Sequence, residues 1–327
     1  MRETKVSTIT RTFVLGAGFS AGAGFPLVRN LREQVIQLAQ ILPRYRAFFK
    51  TGNGGFEKGQ FYAGLEIVDP KHSLQFEEIL IALRDYLNHA NEWDPCHVTL
   101  EVLRNSCAQL LWKIQESIRK VSNCYENFAH WIGAHRSPGR GSTIVSFNWD
   151  LLAEKALTDS QIPWSYSDSR SAISILKPHG SINWNDYLRR DLRTQYSGWQ
   201  PVGPENKLSY DASNPLSNPD RDDINPDFRY MIFPGDPELA KVDPDLQRIW
   251  NWTSKAISER EAIAFIGYSL PDYDSFSLEF FKHLSVGKMV EVYNPSKEHL
   301  GNFRRVFGPT AILELSKFED SKYARRP

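Results

Sequence analysis

The sequence predicts an α/β fold: a Rossmann-like, doubly wound parallel sheet with an inserted helical lobe and no zinc module. Three observations lead there. Apolar, β-branched runs alternate with helical patterns along most of the 327 residues. The first run feeds straight into glycines, in 14-VLGAGFSAGAGFP-26. A block of amphipathic helical patterns then separates that run from the next.

Taken in order, 9-ITRTFVLGAG-18 reads as a buried strand of a parallel sheet. In 29-RNLREQVIQLAQIL-42, Leu31, Val35, Leu38 and Leu42 share one helical face. Asn30 with Glu33 makes a capping box there, and Pro43 stops the helix. Residues 51–72 are glycine-rich and read as irregular. Two longer helical patterns follow, 74-LQFEEILIALRDYLNHA-90 and 98-VTLEVLRNSCAQLLWKIQESIRKV-121. Residues 31–135 therefore form the helical lobe, and 1–30 plus 136–320 the sheet domain.

Strands resume at 143-TIVSF-147 and 173-ISILK-177, with 150-DLLAEKAL-157 helical between them. The polar stretch 191–228 exceeds an ordinary connection, which suits a lid, a partner-binding arm or a disordered loop. Apolar strands return at 230-YMIF-233, 262-AIAFIG-267, 289-MVEVY-293 and 311-AILEL-315. The helix 245-DLQRIWNWTSKAISER-260 precedes the second of these.

Charge is balanced, 39 basic against 39 acidic residues, which excludes nucleic-acid binding by bulk charge. The basic end 322-KYARRP-327 reads as a solvated tail. Cys96, Cys107 and Cys124 form no CxxC pair, which speaks against a disulfide framework or a zinc ribbon; Cys107 reads as buried packing. The N-terminal MRETKVSTITR lacks the apolar core of a signal peptide, and no apolar run reaches membrane-spanning length. The expectation is a cytoplasmic protein with no membrane contact.

Five turns that follow apolar strands carry the chemistry. Gly16-x-Gly18-x-x-Ala21 fits a dinucleotide-binding turn, where glycines bring N–H groups against a pyrophosphate. The plainer reading is a flexible glycine turn. A dehydrogenase would add an acidic residue at the end of the next strand; Glu33 has the spacing but lies in a helix pattern. In 146-SFNWDLL-152, Asn148 can hold a ribose hydroxyl or a water and Asp150 can brace it; equally, both could cap the following helix. In 177-KPHGSINW-184, Pro178 and Gly180 place His179 on a tight loop, as a reactive group or as a structural histidine. Gly267 and Ser269 in 266-IGYSLPDYD-274, and Asn294 in 291-EVYNPS-296, complete the set, with ordinary turn chemistry as the alternative. Turns after parallel strands converge on one crevice.

In this order the segments resemble the sirtuin-like family. The resemblance rests on Gly16 or Ala17 through Gly18, Ser20, Gly24, Pro26 and Arg29, then Asn148 and Asp150, His179 and Gly180, Gly267, Ser269 and Asn294. It spans 14 to about 295. Protein-deacylating members carry a four-cysteine zinc module, a Gln before the Asn and an aromatic residue before the Arg. Here there are three cysteines, Phe147 and Val28. The chain instead looks like the zinc-free members of bacterial antiviral defence, with FNWD, PHGS and GYSLPDYD as typical phrases.

That resemblance implies hydrolysis of NAD to nicotinamide and ADP-ribose, with NAD as substrate and no metal. It implies Asn148 positioning the ribose or water, His179 as general base and Asp150 as orienter. Gly16, Ala17, Gly18 and Ser20 would cradle phosphates. Pro26 would belong to the same loop, and Arg29 would close over the nicotinamide end. Gly180 and Gly267 would give close approach, and Ser269 and Asn294 would hold the adenosine ribose. It further implies a gated enzyme: a homo-oligomer, or one governed by a co-encoded translocase-type ATPase or Argonaute-like protein. Two alternatives stay open. One is a protein deacylase or ADP-ribosyltransferase on the same NAD pocket. The other is a non-catalytic NAD- or ADP-ribose-binding subunit.

Overall fold

The computed structural model describes residues 10–51, 59–91, 94–135, 142–168, 172–185, 229–231, 244–272 and 274–325. The 191–228 stretch lies outside these residues. Nine strands are present among them: β1 (Arg11–Leu15), β2 (Thr143–Ser146), β3 (Trp164–Ser165), β4 (Ile173–Leu176), β5 (Gly180–Asn185), β6 (Arg229–Met231), β7 (Ala262–Ile266), β8 (Met289–Tyr293) and β9 (Ile312–Glu314). The helices are α1 (Ala17–Ser20), α2 (Val28–Ile41), α3 (Arg46–Phe49), α4 (Gln60–Val68), α5 (Phe76–Leu87), α6 (Pro95–Ser117), α7 (Asn123–Ala134), α8 (Leu152–Asp159), α9 (Pro244–Ser258), α10 (Ser275–Leu284) and α11 (Lys297–Phe307).

Seven strands form one sheet in the order β3-β4-β2-β1-β7-β8-β9, and every pairing is parallel. Chain order runs outward from β1 in both directions, except that β3 lies outside β4 at one edge. The switch point of this doubly wound sheet therefore lies between β1 and β7, where such sheets bind ligands. Both faces are covered, as continuous apolar strands require. Along β1, Phe13 and Leu15 enter one core and Val14 the other, the period-two alternation of a strand. Ile144 and Val145 on β2 divide in the same way. One core also holds the helical lobe; the other is closed by aromatic residues including Phe265, Phe281 and Phe303.

In the lobe, α6 is the central helix, packed by α2, α4 and α5. Leu103, Cys107 and Leu111 on it are buried and Leu100 and Ile114 half-buried, and the helix ends at Ser117, short of the expected 121. Leu31, Val35 and Leu38 on α2 are buried too, and the helix ends at Ile41, before Pro43.

The structure corrects several expectations. The region 51–72 contains α4 rather than only irregular chain. Its helical period was hidden by Gly64, which lies where a Cβ would stand 2.3 Å from the Thr99 hydroxyl of α6. The Asn30–Glu33 capping box does not form, because α2 starts at Val28 with Leu27 as its cap. A capping box does form at α5, between Gln75 and Glu78, with Gln75 N–H donating to Glu78 at 2.7 Å. The strand expected at 230–233 pairs antiparallel with β5 in a separate two-stranded sheet. Residues 232 and 233 lie outside the described set.

The C-terminal end is docked rather than solvated. Tyr323 is fully buried, donates to Glu291 at 2.6 Å, and meets Phe13 edge-on at 5.0 Å. Lys322 pairs with Glu291 at 2.8 Å. The helix α7 packs there as well, with Phe128 and Trp131 edge-on to Phe13 at 5.4 and 5.5 Å.

Candidate active site at the carboxyl edge of the sheet

The turns after β1 and β7 are pressed together at the switch point. Gly16 N–H donates to Ile266 O at 3.1 Å, and Gly18 N–H to Gly267 O at 2.9 Å. A Cβ on Gly16 would stand 2.5 Å from the Tyr268 Cα. Gly267 has φ +63°, and a Cβ there would stand 2.2 Å from the Phe19 nitrogen. These glycines are thus required by loop-on-loop contact, and the Gly18 N–H is occupied by the neighbouring turn. Leu270, three residues on and fully buried, also has a left-handed φ of 49°, strain of the kind that collects at functional loops.

Asn148 follows β2 and is buried. Its amide nitrogen donates to Gly16 O at 2.9 Å and to the Ser20 hydroxyl at 3.1 Å. Ser20 is fully buried, and its hydroxyl helps to hold the Asp150 carboxyl ionised. Asn148 is therefore fixed by both Gly16 and Ser20. Asp150 accepts the Leu152 N–H at 3.0 Å at the start of α8, although Leu151 rather than Asp150 occupies the cap position. Burial pushes the Asp150 carboxyl above its ordinary range; Lys177, the Leu152 N–H and the Ser20 hydroxyl partly offset it.

Beneath this turn lies a buried polar cluster. Lys177 has 0% exposure; its ammonium donates to Asp150 O at 2.6 Å and to Glu154 at 3.0 Å. Tyr166 donates to the same Glu154 oxygen at 3.0 Å, and Asn183 on β5 donates to Tyr166 at 3.1 Å.

His179 rides the turn between β4 and β5. Gly180 N–H closes that turn on Lys177 O at 3.0 Å, with Gly180 at φ +74°. The Trp149 indole donates to His179 O at 3.0 Å, tying the turn to the Asn148 segment. The His179 Nε2 lies 3.6 Å from an Asp274 carboxylate oxygen. Phe147 meets the imidazole edge-on at 4.8 Å, and Trp250 stands beyond at 6.4 Å. The imidazole is thus buried, with a carboxylate oxygen facing its Nε2 and aromatic rings on its other sides.

Asn294 sits at the end of β8, buried, its amide donating to Tyr268 O at 3.0 Å and accepting the Ser296 N–H at 2.9 Å. It holds the 268 loop in place. Ala17 and Ser269 are half-buried, as is Pro26, and Arg29 is exposed on the first turn of α2. The turns after β1, β2, β4, β7 and β8 are thus linked into one assembly by hydrogen bonds and contacts, with Arg29 outside that bonding.

Sequence reasoning missed Lys177, Glu154, Asp274 and Trp250. Lys177 precedes the Pro178-His179 pair, and a lysine directly after an apolar strand offered a weak signal. Asp274 could have been found as the cap of α10, since its carboxylate accepts the Ser277 N–H at 3.1 Å. Among the described residues no group of three or more His, Cys, Asp and Glu side chains is placed to hold a metal. Nor, among them, is any helix long and apolar enough to cross a membrane.

No protein-family model matches the chain, and comparison with curated proteins gives no match. Solved structures do resemble it. A Sir2 homologue complexed with ADP-ribose is 15% identical, with a TM-score of 0.44, covering 97% of this chain and 92% of its own. A Sir2 homologue complexed with NAD is 12% identical at a TM-score of 0.39, covering 94% and 84%. A Sir2 protein bound to a propionylated peptide is 13% identical at 0.41, covering 94% and 88%.

Proposed function

We propose that this protein is an NAD glycohydrolase that cleaves the nicotinamide–ribose bond, with His179 and Asn148 at the reacting ribose. The observation that carries the reading is the His179–Asp274 pair beside Asn148, which Gly16 and Ser20 hold, at the switch point of a doubly wound sheet. The order of sequence motifs supports it as well.

The reaction consumes NAD and water and gives nicotinamide, ADP-ribose and a proton. The bond from the anomeric carbon to the pyridinium nitrogen breaks, and its electron pair leaves with neutral nicotinamide, so departure needs no general acid. The ribose carbon becomes oxocarbenium-like, as in glycoside hydrolysis. His179 takes the proton from water or a ribose hydroxyl, and Asp274 steadies the imidazolium. Asn148, fixed by Gly16 and Ser20, sets the ribose position. Asp150 orients it from the same turn, itself held by the Leu152 N–H. The glycine turns at Gly16, Gly18 and Gly267 form the floor against which the phosphates lie, and Ser20 serves as a brace rather than as a phosphate contact. Gly180 shapes the histidine turn. Ser269 and Asn294 belong to the adenosine end; Ala17 and Pro26 border the phosphates, and Arg29 is the flap that closes from α2. No metal enters this chemistry.

The cellular role that follows from the motif resemblance is NAD depletion in antiviral defence, in the cytoplasm. Activity is gated there by self-assembly or by a co-encoded partner of the translocase-type ATPase or Argonaute-like kind. Chromatography of NAD incubated with purified protein, alone and with such a partner, tests the activity. Release of equal amounts of nicotinamide and ADP-ribose, lost by at least about 100-fold in His179→Ala, is the expected result. Equal release by the variant would place the chemistry elsewhere. Nicotinamide release only when an acyl-lysine peptide is supplied would favour the deacylase. NAD binding without turnover under both conditions would favour the binding subunit.

A further inference from the structure

Lys177 is buried without any exposed surface, two residues before His179. Removing an ammonium from water is costly unless it is paired and hydrogen-bonded, and an apolar residue of similar length could fill the same space. Its bonds reach both halves of the site. The Lys177 carbonyl accepts the Gly180 N–H at 3.0 Å and so closes the His179 turn. Its ammonium donates to the Asp150 carbonyl at 2.6 Å and so pins the turn carrying Asn148 and Asp150. A second donation reaches Glu154 at 3.0 Å. Glu154 is held by Tyr166, and Tyr166 by Asn183 on β5, the strand that leaves the His179 turn. The bonds therefore form a ring that starts and ends at that turn.

We propose that Lys177 is a positioning residue that sets the placement of His179 relative to Asn148. This deepens the NAD-hydrolase reading and rests on it for its kinetic consequence. The ring is a physical claim of its own. Without the ammonium, the Asp150 carbonyl loses a charge-assisted bond, and the two turns keep the Trp149 and Ser181 side-chain bonds, the Ile182 N–H to Trp149 O bond and the Phe147–His179 ring contact. A misplacement of about 1 Å between reacting groups costs on the order of 100-fold in rate.

The test is the double variant Lys177→Met with Glu154→Gln. It removes the Lys177–Glu154 pair together, so the Glu154 carboxylate is not stranded, and the glutamine carbonyl still accepts from Tyr166; Asp150 loses the Lys177 charge but keeps the Leu152 N–H. Thermal unfolding checks the fold. Steady-state kinetics on NAD and backbone hydrogen exchange in the segments 146–152 and 177–183 are then compared with wild type. The expected result is kcat lower by about 100-fold with KM changed by less than about threefold. Faster exchange should appear in both segments and not in α4 to α6. Wild-type kcat, or unchanged exchange in both segments, overturns the proposal. If wild type releases no nicotinamide, the hydrolase reading fails by itself, and the exchange result still decides the role of Lys177. If the double variant does not fold, Glu154→Gln alone takes its place. It keeps the ammonium on the Asp150 carbonyl and weakens the ring, so a kcat loss of about 10-fold at constant KM is expected. Wild-type kcat and exchange in that variant overturn the proposal.

Discussion

Two glutamates of this protein face the same difficulty in different ways. Glu154, beneath the site, is 1% exposed, and Glu77, in the helical lobe, is 4% exposed. In each, one oxygen is buried without a hydrogen-bond partner. The other oxygen of Glu154 receives the Lys177 ammonium and the Tyr166 hydroxyl. Glu77 has no such cation: its own backbone N–H helps it slightly, the Glu78 carboxylate opposes it, and burial pushes its carboxyl up to about 7. The site answers desolvation with a counter-charge, which fixes geometry. The lobe answers it with a proton, which leaves stability dependent on pH.

The largest effect expected from that contrast is in the lobe. The folded pKa of Glu77 is about 7 against an ordinary 4.5, so the folded protein holds the extra proton between those values. Its contribution to stability is therefore fully present below about pH 4.5 and is lost as pH rises through about 7. The loss amounts to about 3 kcal/mol across that window, at 1.36 kcal/mol per unit. Denaturant unfolding at pH 5 and pH 8 measures it. The Glu77→Gln variant should lack this part of the slope and be the more stable protein at pH 8. Parallel slopes in variant and wild type would remove the contrast between the two glutamates.

A matched pair of serines sharpens the comparison at smaller scale. Ser20 and Ser106 both have 0% exposure. Ser20 accepts from the Asn148 amide, whereas the Ser106 hydroxyl on α6 has no partner. Ser20→Ala should cost about 1–2 kcal/mol, because one N–H of the buried Asn148 amide loses its acceptor while the other keeps Gly16 O. Ser106→Ala should fall within about 0.5 kcal/mol of wild type, or stabilise, since it removes a hydroxyl that is desolvated and unbonded. Urea unfolding of the two variants measures both, and equal costs would contradict the assignment.

The sheet was legible in the sequence because its strands are short apolar runs bounded by glycine and polar turns. The runs at 143–147, 262–267 and 289–293 map onto β2, β7 and β8. The lobe was legible where leucines recur at helical spacing, as on α2 and α6. It was illegible at α4, where a glycine needed for contact with α6 broke the pattern. The turns holding Asn148 and His179 stood out through their residue types. Their supports did not, because each is a long-range pairing that no local pattern encodes. Asp274 meets His179 from 95 residues away, and Glu154 meets Lys177 across 23. The docking of Tyr323 on β1 and β8 is of the same kind: a polar-looking tail whose one aromatic residue completes a core.

The most direct test of the central claim is a crystal structure of the His179→Ala protein grown with NAD at saturating concentration, checked beforehand by titration. The account predicts the dinucleotide across the carboxyl ends of β1 and β7, with the nicotinamide ribose against Asn148 and the space left by the imidazole. NAD bound instead within the lobe, or with its ribose away from Asn148, would contradict it.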